Sequence, residues 1–97
     1  MQLRETASFR AWLDTLRDRE AKARIARRIS RLQLGLAGDI QPVGGGVSEL
    51  RLHFGPGYRV YLLQRGNVLI VLLCGGDKST QAGDIASAKA LAEQWKD

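Results

Sequence analysis

Residues 75–81 read Gly-Gly-Asp-Lys-Ser-Thr-Gln and follow the most apolar run of the chain, residues 68–74. A strand that stops at two glycines and a polar cluster delivers those polar groups to a surface, which makes Lys78, Ser79, Thr80 and Gln81 candidate ligand contacts. Two earlier segments, Glu49-Leu50-Arg51-Leu52-His53 and Gly57-Tyr58-Arg59-Val60-Tyr61, alternate as strands do. Side chains two apart on a strand share a face, so Arg51 belongs with His53 and Arg59 with Tyr61. Convergence of Arg51, His53, Arg59 and Lys78 on one sheet face predicts a site for phosphate, and so for RNA.

The chemistry open to such a set is metal-free cleavage of RNA. It needs a 2′-OH in line with the adjacent phosphate, charge stabilisation on the phosphorane oxygens, and proton transfer at both ends. Arg51 and Arg59 suit the second role, because a guanidinium offers five donors and keeps its charge. Lys78 adds a point charge or, with a depressed pKa, a proton carrier. His53 is the side chain whose ordinary pKa suits acid or base work near neutrality. Tyr61 is the candidate for stacking on a base, and Ser79, Thr80 and Gln81 supply further donors. Plainer readings exist for several of these groups. Arg51 can pair with Glu49 as an exposed salt bridge of small value, and Asp77 can simply cap a helix. Glycines 75 and 76 serve either close backbone approach or a positive φ. No cluster of His, Cys and carboxylates has metal-ligand spacing, so neither a metal nor a cofactor is expected.

The elements that must position these residues follow from periodicity. Residues 2–5 form a short strand, after which Thr6 caps a helix carrying Phe9, Trp12, Leu13 and Leu16 on one face. A break at residues 18–20 leads to a second helix with Ala21, Ile25, Ile29, Leu32 and Leu36 as its apolar stripe. The pair reads as an antiparallel helical hairpin. Off that stripe, Lys22, Arg24, Arg27, Arg28 and Arg31 make a one-sided basic surface, either a second RNA contact or a solvated face. Gly35 and Gly38 end the helix, residues 39–43 run extended, and three glycines at 44–46 turn the chain. Residues 47–54, 58–64 and 68–74 then form a meander, its last strand central and buried on both faces. A terminal helix starting at residues 79–81 carries Ile85, Ala88, Leu91, Ala92 and Trp95. The fold class is therefore α+β: an N-terminal strand and helical hairpin on an antiparallel meander, closed by a C-terminal helix.

Composition bounds the rest. Ninety-seven residues fit one domain, residues 1–97, with 44% hydrophobic and 26% charged residues. A net charge of +5 and an isoelectric point near 10.0, with arginine the main basic residue, favour a polyanion or an acidic protein partner. Cys74 has no second cysteine to pair with and ends an apolar run, which reads as a small buried hydrophobe in a reduced, cytoplasmic protein. No apolar run approaches the ~20 residues that span a bilayer, and no signal pattern opens the chain.

The element order together with the strings Gly-Pro-Gly-Tyr-Arg-Val-Tyr at 55–61 and Gly-Gly-Asp-Lys-Ser-Thr-Gln at 75–81 resembles the RelE/ParE superfamily of toxins. Phe9, Trp12, Leu16, Arg24, Arg31, Gly35, Gly38 and Glu49-Leu50-Arg51 extend the likeness to its HigB-like addiction module killer group. The resemblance runs from about Leu3 to Trp95. It implies a RelE-like fold and a toxin of a type II toxin–antitoxin system, cutting mRNA on the ribosome without a metal. It also implies a cognate antitoxin encoded alongside, of helix-turn-helix type. Other readings are a ParE-like inhibitor of DNA gyrase that performs no chemistry, or a non-toxic binding module. Several superfamily nucleases use a C-terminal tyrosine or histidine, whereas this chain ends in Trp95-Lys96-Asp97, which leaves the proton-transfer group open.

Overall fold

A computed structural model describes residues 1–96; Asp97, the last residue of the expected domain, lies outside them. The elements run β1 (Gln2–Glu5), α1 (Ala7–Thr15), α2 (Arg19–Gln33), β2 (Ile40–Gly44), β3 (Val47–Arg51), β4 (Tyr58–Arg65), β5 (Leu69–Asp77), one 3₁₀ turn (Lys78–Thr80) and α3 (Gln81–Gln94). The five strands form one mixed sheet in the order β1-β5-β4-β3-β2. β1 pairs parallel with β5, and the other neighbours are antiparallel. The fold is α+β.

The sheet is covered on both faces, and this decides what its alternation means. Leu50, Val60, Leu62, Ile70 and Leu72 pack with Phe9 of α1 and Ile25, Ile29 and Leu32 of α2. The alternate residues Val47, Tyr61, Leu63, Val71 and Leu73 pack with Ala88, Ile85 and Leu91 of α3. Each buried apolar residue of β3, β4 and β5 named here therefore meets one helical layer or the other. The expected central position of the third meander strand is met in burial, though β5 lies beside β1 and β4 holds the middle.

Local chemistry fixes the helix ends. Thr6 accepts from the Phe9 amide at 3.0 Å, capping α1, while its hydroxyl donates to the Leu73 carbonyl and ties the helix start to β5. Asp18 caps α2 through the amides of Glu20 and Ala21. Gly35, at φ +85°, closes α2 by turning the chain left-handed, and its amide bonds the Leu32 carbonyl. Leu36 consequently falls beyond the helix and is 61% exposed, so the apolar stripe ends at Leu32. β3 likewise ends at Arg51, sooner than the alternation through residue 54 predicts. The Leu52 amide bonds the Tyr58 carbonyl and the Phe54 amide the Leu52 carbonyl, which winds residues 52–57 into a turn. Among the described residues no helix is long and apolar enough to cross a membrane.

Candidate functional site

Arg51 and Arg59 are direct cross-strand partners of β3 and β4, and Glu49 and Tyr61 are the next pair on the same face. Like charges placed opposite each other repel. Glu49 resolves this. Its carboxylate is 0% exposed and accepts from three donors, Arg51 Nε at 2.8 Å, Tyr61 Oη at 2.9 Å and Gln81 Nε2 at 2.8 Å, and it is ion-paired with Arg59 Nε at 4.0 Å. Burial alone would raise the Glu49 pKa, but the bonds from Arg51, Gln81 and Tyr61 outweigh it and hold the carboxyl below its ordinary value. The same contact raises the Arg51 pKa. The Glu49–Arg51 pair is thus a buried anchor with one half-exposed arm, where the sequence suggested an exposed pair of small value.

Arg59 is 7% exposed, and its Nη1 donates to the carbonyls of Gly57 and Tyr58 at 3.1 and 3.2 Å. Its Nε is buried without a hydrogen-bond partner. Lys78 stands beside it: a side chain at Gly57 would press on Lys78 Cβ at 3.3 Å and Arg59 Nη1 at 3.5 Å. Lys78 is exposed and has no partner among the described residues. The cationic face presented to solvent therefore consists of Arg51 and Lys78, with Arg59 behind them.

Tyr61 is not available for base stacking. It is wholly buried against α3, and burial, then its bond to Glu49, pushes its pKa far up. The strand parity that grouped it with Arg59 is right, but the face is covered by a helix. Gln81, the first residue of α3, spends its amide on Glu49. Ser79 donates to Asp77, which is thereby held below the usual carboxylate range, and Thr80 donates to Asp84. Asp77 is the cap of the 3₁₀ turn. Burial, then Asp84, pushes the Cys74 thiol to about 11, so it stays protonated near neutrality.

His53 does not share the face of Arg51. Past the end of β3 the chain has turned, and the ring, 70% exposed, bonds Asp39 through Nε2 at 2.5 Å and lines a hollow under α2. The bond from His53 lowers the Asp39 pKa, and Asp39 in turn acts electrostatically on Arg51, so the two regions meet around this carboxylate. The α2 arginines divide. Arg28 is used internally, donating to the carbonyls of Arg51 at 2.7 Å and of Ala37 and Asp39 at 3.4 Å. Arg24 bonds Glu20 at 2.9 Å and lies 4.0 Å from the centroid of Phe54. Arg27 and Arg31 are exposed with no partner among the described residues.

The residues that sequence reasoning missed are Glu49 as an organising carboxylate and Asp39 as the partner of His53. A lone acid two residues before Arg51, on the same face of a strand that also carries Val47 and Leu50, was the available signal for the first. No group of three or more His, Cys, Asp or Glu able to hold a metal occurs among the described residues.

No protein-family model matches the chain. It is 52% identical over 94 residues to an uncharacterized protein of Haemophilus influenzae, a match covering 97% of this chain and 95% of the other. The chain belongs to the family of that protein. Near-complete coverage of both sequences means that the family shares the whole fold described above, from β1 to α3, rather than one motif of it.

Proposed function

We propose that the protein is the toxin of a RelE/ParE-like toxin–antitoxin pair and acts on mRNA, with the Arg51–Lys78 face receiving the phosphate of the scissile linkage. The observation that carries this reading is the cross-strand arginine pair organised by the buried Glu49 next to the unpartnered Lys78. An oriented guanidinium and a nearby ammonium stabilise charge developing on a phosphorane, and their preorganisation avoids reorientation at the moment of reaction. In the step itself the 2′-oxygen bonds to phosphorus as the bond to the 5′-oxygen breaks. The 2′-OH proton passes to a base and the 5′-oxygen takes one up, leaving a 2′,3′-cyclic phosphate and a 5′-OH. Tyr61 and Cys74, both held protonated, are not the base.

One observation favours a second reading. Arg59 is buried and occupied, which leaves fewer free groups than cleavage uses and fits a ParE-like docking face that inhibits DNA gyrase. Brief induction in cells followed by sequencing of transcript ends separates the two. The nuclease reading expects new 5′-OH ends, lost in Arg51→Ala and Lys78→Ala variants that remain folded. A DNA-damage response with intact transcripts, or cleavage untouched by both substitutions, overturns it.

A further inference from the structure

The hollow beneath α2 is a separate feature from the Arg51–Lys78 face, and its chemistry is that of a nucleotide site. It measures about 360 Å³ and is bordered by α2 on one side and by residues 52–54 on the other. That size falls within the range of small-molecule pockets, about 300–1,000 Å³. Four arginines of α2 line it, at positions 24, 27, 28 and 31, against the single carboxylate of Glu20. Arg28 and Arg31 also border a neighbouring hollow of about 560 Å³ at the C-terminal end of α2, so the basic lining continues along the helix.

Three properties distinguish this from a solvated charged face. Arg24 is bonded to Glu20 while its guanidinium stacks on Phe54, and Phe54 is backed by Tyr58 with ring centroids 6.3 Å apart. This is a preformed arginine–aromatic platform of the kind on which an unpaired base stacks. Arg27 and Arg31 are one helical turn apart on the same side and have no acidic partner among the described residues, leaving both forks open to phosphate. The floor is rigid, because Arg28 is bonded to three backbone carbonyls and His53 is held by Asp39.

We infer that the α2 hollow binds a nucleoside phosphate, the base stacked on the Arg24–Phe54 platform and the phosphates taken by Arg27 and Arg31. The ligand is either a free mononucleotide or one unit of a single strand. This site stands independently of cleavage at Arg51 and Lys78.

The test is equilibrium binding of the intact protein to 5′-AMP and to a 2′-deoxy hexanucleotide, which has no 2′-OH to attack. Wild type is expected to bind at least one of them, with amide resonance shifts centred on residues 24–31 and 52–54. Arg27→Ala/Arg31→Ala should weaken binding more than tenfold. Two lost phosphate contacts also flatten the logarithmic salt dependence for the single strand by about 1.4. Arg24→Ala should cost about tenfold through the lost platform. An Arg4→Ala/Arg10→Ala variant removes equal charge from β1 and α1 and should bind like wild type. Tight 5′-AMP binding marks a free nucleotide as the ligand, and binding by the hexanucleotide alone marks a strand. Binding of neither, or equal losses in the Arg4/Arg10 control, overturns the site. All substituted side chains are exposed, and a thermal melt of each variant confirms that the loss is of binding and not of fold.

Discussion

At the scale of single residues, the sheet face under α3 depends on one carboxylate. Glu49 is the counter-ion for two arginines, one of them almost wholly buried. Removing one partner of a buried pair leaves an uncompensated charge, so Glu49→Ala is expected to lower unfolding free energy by about 3 kcal/mol in urea titration. Tyr61→Phe removes only the hydroxyl, at about 1.5 kcal/mol. The Glu49→Ala/Tyr61→Phe double variant should cost less than the sum of the singles, because the phenol has no acceptor once the carboxylate is gone. Strict additivity would mean that the two side chains act separately. These roles were only partly legible in the sequence. Arg51, Arg59 and Tyr61 were grouped correctly by strand parity, yet their face was read as open to solvent. Alternation distinguishes two faces of a strand but says nothing of what covers each, and here a polar-looking face lies under the first turn of α3.

At the scale of elements, the double glycine at the end of β5 is a packing device. Neither residue has a positive φ. A methyl group on Gly75 would overlap the ring of Trp12 from α1, and one on Gly76 would overlap the Asp84 carboxylate of α3. The two glycines thus let helices close on opposite faces of one strand. Gly75→Ala is expected to cost about 2–3 kcal/mol, since the indole is wedged against Phe9 and Tyr58 and has little room to retreat. Gly76→Ala meets the end of a movable side chain and should cost less, with the loss falling on the Thr80–Asp84 bond. If Gly75→Ala melts with wild type, the Trp12 contact does not set the fit. Thr6→Ala should cost about 1 kcal/mol for the lost cap, with a further penalty because Leu73 loses its donor. The start of α1 was legible from its cap and most of the apolar stripes from their period, whereas the expected break at residues 18–20 holds the first turn of α2, with Asp18 as its cap. The early end of β3 was not, because Leu52 and Phe54 still alternate while their backbone has already turned, and it is this turn that carries His53 away from Arg51.

At the scale of the whole molecule, two apolar layers share one sheet, and the groups that titrate at low pH sit at its polar seam. Glu49, Asp39 and Asp77 all have carboxyl pKa values below their ordinary 4.5, 3.8 and 3.8. Each binds its proton more weakly in the folded chain than in the unfolded one. Above about pH 5 both states are ionised and the contribution to stability is complete. As pH falls from there the unfolded chain takes up protons first, and stability is lost progressively through the lowered folded values. Glu49 should dominate, being buried, whereas Asp39 and Asp77 lie near solvent and their bonds are screened. The urea midpoint is therefore expected to be level from about pH 8 to 5 and to fall steadily below about 4.5. Glu49→Gln should be less stable than wild type at neutral pH yet decline more slowly on acidification, because one titrating group contributes at most about 1.4 kcal/mol per pH unit and that slope is removed. Parallel acid limbs for the two proteins would place the proton uptake elsewhere and take Glu49 out of its organising role. A midpoint that rises on acidification would mean that repulsion among the carboxylates, not their pairing with Arg51 and the other donors, governs the seam.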